Sequence, residues 1–549
     1  MQRRDFLKNF TTLAPSPTAR AQATPTTGLT KYSGSWGNAQ VLHLLRRTLF
    51  GVKESEISTF KALGLDGAVN KLLAIDTTPP SPPVNYYSNG STIIDLAVPA
   101  GQTWVNAPFN NDLSYYRRRS VKMWWTGMLL NDTTIREKMV LFWQNHFSTE
   151  GEVIYYEQMV YKMNALLRKH CLGNFKTMIK EVTIDPGMLR YLNGYLNTKT
   201  APDENYGREL QELFTVGKGK DSHYTEDDVK NAAKVLTGWR IDASTVTSYF
   251  DGNKHETSNK QFSSFYNNTV ITGKTGASGA QETDELITMI FQQNEVAKFI
   301  CRKLYRWFVY YDIDSTVETN VIEPLATIFR NNNYDIKPVI ETLLKSEHFF
   351  DTLSMGCQIK SPIDFVLAYC RQTEITMPAS SEYVQNYNIW GNIQYYAALG
   401  QQDINDPPNV SGWPAYYQEP QFYEFWINSD TLPKRLTFAY ALLYVGTTIS
   451  GFKVIIDVLA FADKIPNASD PNKLVDGLAE LLLAVNISSS VKAIIKSALL
   501  SGQSSDYYWT DAWNAYKANP NDTTNKTYCT NVLRAALKYI FELPEYQLN

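Results

Sequence analysis

Cysteine is scarce and unpatterned in this chain. Five occur in 549 residues, at 171, 301, 357, 370 and 529, and none belongs to a C-x-x-C pair. An odd, scattered set excludes a disulfide framework and a zinc-finger pattern. An excess of one charge is also missing: 52 Lys and Arg stand against 55 Asp and Glu, a net charge of −3. A nucleic-acid coat or a polybasic membrane binder needs a basic surplus, so no nucleic-acid partner is expected. No apolar run approaches the roughly 20 residues that cross a bilayer, so no membrane span is expected either. Short catalytic signatures are wanting too. There is no G-x-S-x-G elbow and no H-E-x-x-H helix. Gly273-Lys274-Thr275 lacks the first glycine of a phosphate loop, with Asn268 in its place. Asp251-Gly252-Asn253 opens like a calcium loop, but Glu256 holds the glycine position and Phe262 the twelfth.

What is present is a globular composition, 44% hydrophobic and 19% charged. The length suits roughly two to four units of domain size, or one fused body. Aromatics reach 13%, with 34 Tyr and 12 Trp. Such rings either pack a large helical core or offer rigid contact area to carbohydrate or peptide. The N-terminus, Met1-Gln2-Arg3-Arg4-Asp5-Phe6-Leu7-Lys8, looks like a twin-arginine export signal, although the apolar stretch after it is weak. A periplasmic or extracytoplasmic location is therefore expected, the alternative being a disordered cytoplasmic tail that happens to carry Arg-Arg.

Helical spacing dominates the rest. Residues 1–30 read as a signal or disordered segment, 31–440 as a helical core, and 441–549 as a helical region packed on that core. Helices are expected over Asn38–Phe50, Glu54–Leu63 and Asp66–Ala74, followed by a Pro-rich break and a long loop to Asn110. Over Thr134–Phe147, Thr134 and Glu137 make a candidate capping box. Ile135, Met139, Phe142, Trp143 and His146 then share one face. Residues 240–280 turn to Ser, Thr, Asn, Gly and aromatics, an irregular or β-hairpin insertion. The expected fold class is mostly α: a multi-helix globular body with a short irregular or β insertion around 240–280.

The informative stretch is 185–239. It contains Pro202-Asp203-Glu204-Asn205-Tyr206-Gly207-Arg208-Glu209-Leu210-Gln211-Glu212-Leu213-Phe214-Thr215-Val216-Gly217, then Tyr224-Thr225-Glu226-Asp227-Asp228-Val229 and Leu236-Thr237-Gly238-Trp239. This resembles the bacterial family known as domain of unknown function 1800. Other blocks agree in order: His43–Gly51, Phe142–Phe147 (with Gln144 where the family has His), Phe299–Phe308, Lys360-Ser361-Pro362, and Leu399-Gly400-Gln401 running on to Gly412-Trp413-Pro414. The resemblance implies a mostly helical, twin-arginine-exported protein. It is often encoded beside an exported protein that resembles the sulfatase/alkaline-phosphatase fold, which is a possible partner. It implies no established reaction.

On a helix from Glu204 to Phe214, Tyr206, Leu210, Leu213 and Phe214 make the apolar side. Glu204, Asn205, Arg208, Glu209 and Glu212 fill the opposite arc. Glu204–Arg208–Glu212 is either a solvated charge ladder or the wall of a cleft. In the second case Glu209 and Glu212, with His146, are the candidate catalytic groups, and Glu204, Asn205, Arg208 and His255 candidate binding groups. A divalent metal can be held by such carboxylates, and no motif names another cofactor. His146 is either a core histidine with a hydrogen-bond partner or a ligand or proton shuttle facing that arc. Thr225 and Asp228 read as a structural N-cap pair. Two functions follow as expectations: a metal-assisted hydrolase or lyase on an extracytoplasmic polymer, or a non-catalytic envelope protein that binds the co-encoded partner. A cofactor carrier is a third, without a motif to support it.

Overall fold

The computed structural model describes residues 25–549 except residues 89 and 91. The twin-arginine motif lies outside the described residues, as do Ala19-Arg20-Ala21 and Ala21-Gln22-Ala23, whose small residues make either a candidate signal-cleavage site. From Thr27 the chain is tied down. The Thr27 carbonyl meets His348 Nδ1 at 2.8 Å, and Glu347 N–H donates to Thr30.

The described residues are mostly α-helical, with three short antiparallel ribbons. Two ribbons fall in the 240–280 stretch. Trp239–Asp242 pairs with Thr247–Phe250, and Lys260–Gln261 with Val270–Ile271. The fold class expected from helical spacing and the polar insertion is the one observed. No helix among the described residues is long and apolar enough to cross a membrane. All five cysteines are free.

The Arg136–His146 helix is buried almost all round rather than on one face. A helix enclosed all round must find partners for its polar residues. Glu137 receives Arg168 through Nε and Nη2 at 3.0 and 2.9 Å and the Trp125 indole at 2.9 Å. It therefore does not close the expected capping box. Asp132 instead accepts the Glu137 N–H at 2.8 Å. Lys138 is paired with Asp364 at the start of the Pro362–Gln372 helix. Buried Arg117 pins the long loop before it, bonding Asp95 at 2.8 Å and Glu157 at 2.9 Å.

The C-terminal region packs on this core. Tyr369 meets Phe541 at 4.3 Å between ring centres, and Lys360 donates to the Tyr546 carbonyl at 2.6 Å. Arg46, on the Asn38–Thr48 helix, donates to the Glu480 and Leu481 carbonyls. The polar side of that first helix, His43, Arg46 and Arg47, is as buried as its apolar stripe. The later helices cover it.

Candidate functional site

The sequence blocks that carry the family resemblance lie up to some hundreds of residues apart, yet most of them meet at one cavity of about 70 Å³. The first helix supplies Arg47. The Arg136–His146 helix supplies Asn145 and His146, and the Asn294–Phe308 helix Lys303, Arg306 and Trp307. Asp364 stands at the first turn of the Pro362–Gln372 helix. Tyr416 and Trp426 close the aromatic wall, with Trp307–Tyr416 and Tyr416–Trp426 centroids 4.7 and 5.4 Å apart. Gly412 lets this wall approach. Its φ is +93°, and a Cβ there would sit 2.7 Å from the Asn145 carbonyl oxygen. Asn145 Oδ1 in turn accepts the Trp413 N–H at 3.0 Å.

The Glu204 helix reaches the same place through its far end. The α-helical turn Glu204–Glu209 continues as a π-turn over Leu210–Thr215. Carbonyls at a helix end lack intrahelical partners. Here Phe214 O faces His146 Nε2 at 3.1 Å, and Leu213 O faces Lys303 Nζ at 3.4 Å. Lys303 Nζ also lies 3.1 Å from His146 Nδ1. The Phe214 carbonyl can only accept, so His146 carries its proton on Nε2 and presents Nδ1 as an acceptor. Burial and the neighbouring Lys303 charge hold His146 well below the usual imidazole range, against the Phe214 bond. Burial, with the charge of Arg306, brings Lys303 down to about 7. Its partners are an imidazole and a carbonyl, and no carboxylate forms an ion pair with it among the described residues.

The carboxylates of the Glu204–Glu212 arc are arranged differently. Arg208 bridges Glu204 at 3.2 Å and Glu226 at 2.7 Å on a half-exposed surface. Glu212 is paired with Lys218. Asn205 is exposed, its side chain 3.4 Å from the Leu192 carbonyl. Glu209 is partly buried. Burial and the charge of Glu212 push its carboxyl up, and its Oε2 has no hydrogen-bond partner. Both ring nitrogens of His146 are taken by Phe214 and Lys303, so the structure bonds this histidine to a backbone carbonyl at the end of the same segment and not to the arc's acids. His255 is buried elsewhere, with Nε2 3.0 Å from Glu282 and Nδ1 2.9 Å from the Thr237 carbonyl. Glu282 also holds Lys260 at 2.7 Å. That network fastens the β insertion. Thr225 and Asp228 form the expected capping box. Among the described residues, no three or more His, Cys, Asp or Glu are grouped to hold a metal.

Lys303 was missed as a site residue in the reading from sequence. It stands at an apolar position of its helix, with Val296, Ile300 and Trp307 at helical spacing. A lysine inside such a stripe is the signal that points to it.

The fold and the cavity define a mostly α-helical protein with a basic, aromatic-walled pocket. The chain belongs to the family described as protein of unknown function (DUF1800), whose model matches residues 43–548. That match runs through the C-terminal helices. No curated protein and no solved structure matches the chain.

Proposed function

We propose that this cavity is the reaction site of an exported, lyase-type enzyme acting on small acidic fragments, or acidic end groups, of an extracytoplasmic polymer. The observation that carries the reading is Lys303. Buried Lys260 and Lys138 pair with the acids Glu282 and Asp364, and buried Lys360 bonds the Tyr546 carbonyl. Lys303 has a neutral imidazole instead, and a base is most effective when its pKa lies near the working pH. In the amine form Lys303 donates to His146 Nδ1 and keeps its lone pair for substrate. A proton on carbon beside a carboxylate passes to Nζ, the C–H electron pair becomes the new double bond, and the leaving group departs with its bonding pair. His146 acts as a positioning residue.

Hydrolysis by paired carboxylates has less support, since among the described residues Asp364 is the one acidic side chain lining the cavity and is bound to Lys138. Protein groups carry the step, since the cavity's charged side chains are mostly cationic, not a metal-ligand set. The second reading is a non-catalytic envelope protein that partners a co-encoded sulfatase- or phosphatase-like protein. It is supported by the same contacts, because His146 and Lys303 also satisfy carbonyls at a helix end. The full chain incubated with fragments of acidic polysaccharides tests the pair. Unsaturated products seen by ultraviolet absorbance and mass spectrometry, and lost in Lys303→Met, support the lyase. No product, together with co-purification of the co-encoded protein, supports the partner reading. Export rests on Met1–Lys8, and cell fractionation of an Arg3→Lys, Arg4→Lys variant tests it.

A further inference from the structure

Arg47 is 2% exposed and lines the cavity. Its Nη2 donates to the Ser354 carbonyl at 2.9 Å and lies 3.2 Å from Cys357 Sγ. Its Nε and Nη1 have no partner, and neither has the buried indole Nε1 of Trp307 in the same wall. Buried donors are almost always paired, because an unmet N–H forfeits its bonds to water. Three unmet atoms around one space, all donors, ask for an acceptor that the described residues do not supply. The charges agree: Arg47, Lys138, Lys303 and Arg306 line the cavity with one acidic side chain, Asp364, which Lys138 neutralises, while Arg306 reaches Glu419 at 3.7 Å, so Arg47 and Lys303 have no ion pair among the described residues.

Size narrows the ligand. One water needs roughly 10–15 Å³ of such space, so a cavity of about 70 Å³ takes a group of a few heavy atoms and not a sugar ring. The aromatic wall of Trp307, Tyr416 and Trp426 offers a surface for whatever carries that group.

We infer that Arg47 and Trp307 form the seat of an oxyanion, the carboxylate of a small acid or of an acidic end group. The seat sits in the same cavity as the Lys303 amine. This rests on the reading of the cavity as a substrate site, but it concerns recognition and not the reaction. A carboxylate paired with a guanidinium makes its neighbouring carbon easier to deprotonate, which is where Lys303 would act.

Titration calorimetry of the full chain with malonate, its neutral diamide and inorganic phosphate tests the seat. Malonate is expected to saturate one site and the diamide not to bind. Arg47→Met is expected to weaken malonate by about ten- to a hundredfold, the worth of one charge-assisted bond. Trp307→Phe keeps an aromatic ring in the wall, removes the pyrrole part with its Nε1–H and is expected to weaken it several-fold, which covers the case in which the Arg47 variant does not fold. Arg208→Met, on the surface, serves as the control. Phosphate binding more tightly than malonate at the same Arg47-dependent site keeps the oxyanion seat and names a phosphoryl group as its source. Absence of saturation by either anion, or binding untouched by both variants, overturns the inference. Malonate that binds to Lys303→Met as to the parent, where neither protein forms unsaturated product, leaves the seat standing and removes the lyase.

Discussion

One chain segment, 204–215, borders two charged regions that are built in opposite ways. On its outer arc Arg208 pairs with Glu204 and with Glu226 of the next helix, half in water, and Glu212 pairs with Lys218. At its inner end it gives two backbone carbonyls to His146 and Lys303, behind which lie the unmet donors of Arg47 and Trp307. The outer charges satisfy each other, and exposed pairs of that kind contribute little. Among the described residues no acid pairs with Lys303 or Arg47, and both line the cavity. Unpaired charge of one sign around a cavity points to a ligand more strongly than balanced charge on a helix face.

The largest expected effect sharpens this contrast. Lys303→Met should lower turnover by about 10²–10⁴-fold, the usual worth of a general base. Its melting temperature below pH 7 should nonetheless equal or exceed the parent's, since a half-buried cation without a counter-ion is removed. A large loss of stability in calorimetry would instead make Lys303 a structural cap. Glu137→Gln comes next. It leaves Arg168 buried beside a neutral amide and should cost about 3–5 kcal/mol in urea denaturation. A paired buried charge would thus act on stability where the unpaired one acts on turnover.

pH gives a third test. Turnover should rise with pH through about 7 as Lys303 loses its proton. Its folded pKa is lowered, so between about 7 and its ordinary value the unfolded chain holds a proton that the folded chain does not. Stability owed to Lys303 should therefore grow as pH rises across that window, and the slope should be missing from Lys303→Met. The smallest effects belong to the outer arc. Arg208→Ala and Glu204→Gln should each change stability by about 1 kcal/mol or less and leave turnover unchanged. If Glu209→Gln abolished turnover instead, the two regions would have to exchange roles.

Much of the fold was legible in the residues. The 3.6-residue spacing gave the first helices nearly to their ends, with Glu54–Ala62 and Gly64–Leu73 against the expected 54–63 and 66–74. The Thr225–Asp228 cap and the polar 240–280 insertion were equally readable, because capping and turn chemistry are local. Glu137 was misread as a capping partner because its actual partners, Trp125 and Arg168, sit on other helices. The candidate site was half legible. His146 stood out as a histidine on an apolar face, but the groups that meet it did not.

The chain alone determined a helical, nearly neutral molecule of the DUF1800 family, with its notable residues gathered in short blocks. Packing decided which blocks face each other. Lys303 is 157 residues from His146, and Arg47 is 307 from its carbonyl partner Ser354. Periodicity tells which side of a helix a residue takes, but not what the fold lays against that side. Whether a charge is met by an opposite charge, by water or by an empty space is settled by neighbours remote in sequence, and here that difference separates a surface ladder from a binding cavity.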